Sequence, residues 1–156
     1  MMRSNAILLA ALLLFAAVVV AEDEMIGSPA PVRLDAEKLA GLGLEEFEPF
    51  PEEIVLSGRS RHSYHTFFSG EEVVVEVYEA QAARLKIDDP WPYDEFIYLL
   101  SGKLVLTDAK GTVTEYVAGE SLVVPKGFVG IWEMQGNFRE LVVIEKKAYV
   151  RSEESE

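Results

Sequence analysis

Glu95 stands in an alternating run in which Tyr93, Glu95, Ile97 and Leu99 share one face of an expected strand. That setting leaves its carboxylate two fates. On a face turned to water it is an ordinary surface glutamate. On a face turned inward it must find a cation or hydrogen-bond donors, or its pKa rises and it takes up a proton. Arg84, Lys86, Tyr78 and Tyr98 are the candidate partners. The two histidines, His62 and His65, lie three apart on another expected strand and so point to opposite faces. They read as surface or strand-edge polar residues, with an incomplete metal site, Glu95 with His62 or His65, as the alternative. Trp132 shares a strand face with Gly130 and Met134, and its indole offers an apolar wall with one N–H donor. It lines a pocket for an organic ligand or plugs a core. Trp91 and Tyr93, beside Pro90 and Pro92, form the mouth of such a pocket or pack down a loop.

Other chemistry is excluded more simply. The chain has no cysteine, so disulfides, thiolate nucleophiles and sulfur-ligated metals are unavailable. No serine stands in a motif with a supporting base, and the glycines are spaced as turns, not as a phosphate-binding loop that opens a helix.

The elements that must position these residues are strands. Glycines at 102, 111, 119, 127 and 136 punctuate short alternating runs, the signature of an all-β sandwich or barrel. Strands are expected at 54–56, 62–69, 72–80, 83–87, 94–100, 103–107, 112–117, 121–124, 129–134 and 138–148, with tight turns at Ser101-Gly102 and Asp108 to Gly111. Asp35 caps an expected helical turn over 36–40 that Gly41 and Gly43 end.

The N-terminus reads as an address. Met1-Met2-Arg3 precedes the uncharged run Ala6 to Ala21, with small residues before Glu22-Asp23-Glu24, as in a cleaved secretory signal. A retained anchor is the alternative, but sixteen helical residues span only about 24 Å of a core about 30 Å thick. The expected organisation is therefore a signal at 1–21, an arm with a short helix at 22–50, a barrel domain at 51–149 and a charged tail at 150–156. Export places the protein in the periplasm if bacterial and otherwise outside the cell. The net charge of −13 disfavours nucleic acid and, once the signal is gone, anionic membrane as partners.

Two stretches, YDEFIYLLSGKLVLTDAKG at 93–111 and GESLVVPKGFVGIW at 119–132, resemble the cupin superfamily over residues 55–148. Within it they are similar to the single-domain group named after the ureidoglycine aminohydrolase cupin domain. Glu95 and Gly102 match the end of the first cupin motif, and Gly119, Pro125 and Gly127 match the second. The resemblance implies an RmlC-like jelly-roll barrel into which Glu95 looks, and a homodimer. It also implies a divalent metal, manganese, iron, zinc or nickel, held by histidines and the glutamate. Here Asp88 to Trp91 stand where two of those histidines belong, and Gly130 stands in place of the third. Without imidazole ligands a lone carboxylate does not hold such an ion firmly. The expectation is therefore an exported cupin without a cofactor, binding a small organic molecule through Glu95, Trp132, Tyr93, Gly130, Tyr98 and Lys86. The alternatives are a metal-dependent enzyme of the ureidoglycine aminohydrolase kind and a non-catalytic interaction module.

Overall fold

The computed structural model describes residues 30–59 and 61–153, with side chains described as far as residue 150. The expected signal at 1–21 lies outside the described residues. Among the described residues, α1 (Ala36–Leu39) precedes the strands β1 (Glu45–Glu46), β2 (Val55–Gly58), β3 (His62–Ser69), β4 (Val73–Ala80), β5 (Ala83–Ile87), β6 (Glu95–Asp108), β7 (Val113–Val117), β8 (Ser121–Val124) and β9 (Gly130–Glu145), and α2 (Lys146–Glu153) follows them. Helix α1 forms where expected, because the Asp35 side chain accepts the backbone N–H groups of Glu37 and Lys38.

The strands pair antiparallel in a curled jelly-roll sheet ordered β1-β3-β4-β9-β5-β2, with β6 joined to β7, β8 and β9. Strand β9 is the hinge of this arrangement. Its first part, 130–134, lies between β5 and the end of β6, and its last part, 138–145, lies between β4 and the start of β6.

Three sequence expectations need correction. Ser101-Gly102 is not a turn, since β6 runs through it with register shifts between Leu99 and Ser101 and between Ser101 and Lys103. The extra residues reset the alternation, so Glu95, Ile97 and Leu99 are buried before the corner and Leu104 and Leu106 after it. At this corner Gly102 has φ +76°, and a Cβ there would lie 2.7 Å from both the Gln135 carbonyl oxygen and Phe138 Cα. The runs 129–134 and 138–148 are likewise one strand, which stops at Glu145. Residues 146–148, expected at the end of that strand, instead open α2, where Ala148 is buried and Tyr149 packs on the core.

The inner face carries Ile97, Leu99, Leu104, Leu122, Val124, Trp132, Met134, Phe138, Val142 and Ile144. Full burial of such side chains stabilises by about 1.5–3 kcal/mol each. That surplus is what lets three glutamates lie among them. On the outer face the pairing aligns Val123, Phe96, Val143, Val75 and Phe68 across five strands. Val123, Phe96 and Phe68 in this row are exposed.

Candidate functional site

Glu76, Glu95 and Glu140 are the buried charged-type side chains among the described residues. Each occupies an inward position of its strand. Glu76 follows Val74 on β4, Glu95 precedes Ile97 on β6, and Glu140 lies between Phe138 and Val142 on β9. Only Glu95 was singled out by sequence. The signal for the others was a carboxylate at an apolar position of an alternating strand.

Their partners differ. Thr66 donates its hydroxyl to Glu76 at 2.6 Å, and the Trp91 indole N–H donates to Glu95 at 3.1 Å. Glu140 Oε2 is buried without a hydrogen-bond partner. Burial pushes the Glu95 carboxyl up to about 8, the Trp91 hydrogen bond pulling against it and the nearby Glu76 adding to it. Burial, then the charge of Glu95, holds Glu140 well above the ordinary carboxylate range. Tyr78 is also pushed well above its usual value, by burial first and then by Glu140, Glu95 and Tyr93. These groups therefore share one electrostatic environment. In it burial favours the protonated form of the carboxyls.

Aromatic rings form the walls. Trp91 stacks on Trp132 with centroids 5.2 Å apart, and Tyr93 meets Trp91 edge-on at 5.7 Å. Tyr149 of α2 lies 6.2 Å from Tyr93. Trp132 is thus a wall beside Glu95, bridged to it by Trp91. The donor to Glu95 is a residue that sequence reading had placed only at the mouth.

His62 is half-buried, stacked on Phe50 at 3.9 Å, with its ring nitrogens on the Glu48 carbonyl at 2.7 Å and the Tyr78 hydroxyl at 3.0 Å. Burial lowers its pKa against the opposing effect of that carbonyl. His65 is on the opposite face, its ring meeting Phe67 edge-on at 5.1 Å.

Other expected site residues lie elsewhere. Tyr98 is 39% exposed on the outer face, as the alternation that turns Glu95 inward requires. Lys86 is exposed and pairs with Asp88 at 2.7 Å, and Arg84 lies 3.4 Å from Glu133. Gly130 opens no space, because a Cβ there would stand 2.0 Å from the Thr107 carbonyl oxygen. It is a close approach of β9 to β6. Two surface depressions, of about 160 and 240 Å³, lie outside the glutamate cluster. The larger is lined by Phe50, Glu52, Val55 and Gly58, and through Phe50 it adjoins His62 and Tyr78.

The donor set can be tested against the metal that the cupin resemblance implies. Both nitrogens of His62 are engaged, His65 faces away, and one Glu95 oxygen accepts from Trp91. Among the described residues no group of three or more His, Cys, Asp or Glu is placed to hold a metal ion. The residues present do not fit such an ion.

Comparison with solved structures places the fold. A protein of unknown function of the DUF861 family from Pseudomonas syringae pv. tomato superposes with a TM-score of 0.59 at 18% identity, over 65% of this chain and 43% of that one. The chain thus spans less than half of that protein. The EutQ protein of Clostridium difficile aligns at TM-score 0.44 and 17% identity, over 64% and 80% of the two chains. An RmlC-like cupin from Shewanella frigidimarina aligns at 0.48 and 12%, over 66% and 95%. No curated protein matched significantly. A family model described as the EutQ-like cupin domain matches residues 65–149, more than half of the chain, and the protein belongs to that family.

Proposed function

We propose that this chain is an exported, single-domain cupin whose barrel interior binds a small organic molecule through Glu95, Glu140 and the Trp91–Trp132 stack, without the usual cupin metal. The observation that carries this reading is Glu140 Oε2, a buried carboxylate oxygen with no donor of its own. Leaving such an atom unpartnered costs about 1–3 kcal/mol or more. A fold tolerates that cost most readily where a ligand completes the site. The donor chemistry supports binding over a metal-dependent enzyme of the ureidoglycine aminohydrolase kind.

Tryptophan emission is the direct test, because Trp91 and Trp132 are the chain's two tryptophans and both line the interior. Titration with small carboxylates, ureides, sugars and amines is expected to change emission with at least one class, and Glu95→Gln is expected to weaken that response. A panel without effect on emission or on the melting temperature would remove the reading. So would near-stoichiometric manganese, iron, zinc or nickel in protein purified without added metal.

A second reading, a pairing module, is favoured by the exposed outer row of Val123, Phe96 and Phe68. Apolar side chains aligned across five strands leave water when two such faces meet. Sedimentation at micromolar concentration is expected to show a homodimer that Phe96→Glu converts to monomer. A wild-type monomer at those concentrations excludes it.

A further inference from the structure

We propose that the molecule bound by this interior is a small organic cation, an alkylammonium or a guanidinium, held by the carboxyls of Glu95 and Glu140 against the faces of Trp91 and Trp132. This rests on the binding reading above and adds the chemical class of the ligand.

The buried charged-type side chains are all acids, Glu76, Glu95 and Glu140. The bases nearest in sequence are engaged outside the barrel. Lys86 pairs with Asp88 at 2.7 Å, Lys103 with Glu115 at 2.6 Å and Arg139 with Glu79 at 2.8 Å. A buried carboxyl without a cation beside it is costly to ionise, so the complement that Glu95 and Glu140 would take is positive.

Hydrogen-bonding capacity points the same way. One oxygen of Glu76 takes the Thr66 hydroxyl and one of Glu95 takes the Trp91 indole, whereas Glu140 Oε2 takes nothing. An ammonium brings three donors and no acceptor, and a guanidinium brings five. Once these carboxyls have ionised, a carboxylate ligand would bring lone pairs to lone pairs. The walls add a second attraction: Trp91, Trp132, Tyr93 and Tyr149 form one continuous run of ring contacts, and a cation over such faces gains about 0.5–2 kcal/mol.

The outer surface carries acid near the cluster as well. The 240 Å³ depression is lined by Glu52 and Phe50, and Phe50 stacks on His62, whose ring is hydrogen-bonded with the Tyr78 hydroxyl. The chain's net charge of −13 draws cations toward any such surface.

Binding must be coupled to proton release. The groups that face the two carboxyls are Glu76 and Tyr78 from β4, Trp91 and Tyr93 from the loop before β6, and His62 from β3 beyond Tyr78. None of these is a fixed cation. A carboxyl protonated at neutral pH therefore gives its proton to solvent when the cation arrives, and the charge of the site stays balanced.

Methylguanidinium and ethylammonium, with methylurea and acetate as neutral and anionic counterparts, separate the outcomes when titrated against the tryptophan emission of the full protein. The expected result is a response to the cations alone, with affinity tightening about tenfold per pH unit between pH 6 and 8 and levelling above the Glu95 pKa of about 8. Calorimetry in two buffers of different ionisation enthalpy should report about one proton released. Glu140→Gln should weaken binding at least tenfold. Methylurea or acetate binding as tightly as methylguanidinium, with a response lost in Glu95→Gln, would overturn the cation while leaving interior binding in place. A cation response unchanged in both Gln variants, or insensitive to pH, also overturns it. No response to any of the four removes both readings.

Discussion

Glu140→Gln is expected to stabilise the protein at pH 9 and to change little at pH 5. The sign follows from which state holds the proton. Burial raises the folded pKa of Glu140 well above 4.5 and that of Glu95 from 4.5 to about 8. Between those limits the folded state keeps protons that the unfolded state has released, so stability falls as pH rises. Each such carboxyl costs about 1.4 kcal/mol per pH unit across its window. Glu95 alone would then lose at most about 5 kcal/mol between pH 4.5 and 8. His62 acts in the opposite sense, since burial lowers its pKa from 6.5, but above pH 7 it is neutral in both states. Urea midpoints at pH 7, 8 and 9 isolate the glutamates. The wild type should lose about 1–3 kcal/mol per unit there, each single Gln variant less, and the double variant almost nothing. A wild-type stability that is flat or rising from pH 7 to 9 would show that these carboxyls ionise freely in the folded state.

Gly130→Ala should be among the most destabilising single substitutions in the chain, at roughly 3–6 kcal/mol. Its Cβ would be driven to 2.0 Å from the Thr107 carbonyl oxygen, and the neighbouring atoms, Thr107 C and Asp108 Cα, are also backbone and cannot swing aside. Gly130 pairs with Ile87 on one side and Asp108 on the other, so neither neighbouring strand can withdraw without losing its ladder. Gly127→Ala is the control. Its φ of +88° is strained for alanine but nothing lies within 4 Å of its Cβ, so its cost should be about 1–2 kcal/mol. Gly130→His, which restores the residue the cupin motif has there, should fail to fold and should not recover a metal site. Equal melting temperatures for Gly130→Ala and Gly127→Ala would refute the argument.

Particular residues show what the sequence could and could not reveal. The strands at 62–69, 83–87 and 121–124 were legible to the residue, because alternation and flanking turn residues agree there. The corner at Gly102 was not, since a glycine that lets two long strands touch reads the same as one that turns a hairpin. Glu95 was legible through its motif spacing. Glu76 was harder, because Val73, Val75 and Val77 make the opposite face of β4 as apolar as its own, and alternation alone does not say which face is inside. Glu140 stands in a clearer pattern, between Phe138 and Val142, and a rule that flags carboxylates at apolar strand positions would have found it. Tyr98 and Lys86 were wrongly expected inside: the alternation that turns Glu95 inward turns Tyr98 out, and the exposed Lys86 follows the buried Leu85. Gly130 was invisible as a contact because the residue it touches, Thr107, is 23 positions away and is brought close only by the pairing of β6 with β9.

Strands β6 and β9 run unbroken from one side of the jelly roll to the other, pairing with each other along most of their length. Neither side can melt alone, because each would take with it a strand the other needs. Loss of structure is therefore expected to be a single all-or-none event in which amide protons of Ile97 and Leu106 exchange at the same rate in the slow limit. The pairings join residues far apart in the chain, Glu95 with Ile144 and Val74 with Ile144 among them, so ring closure must precede most of the stabilising contacts. Refolding should accordingly be slow for a domain of this size, on the order of milliseconds to seconds.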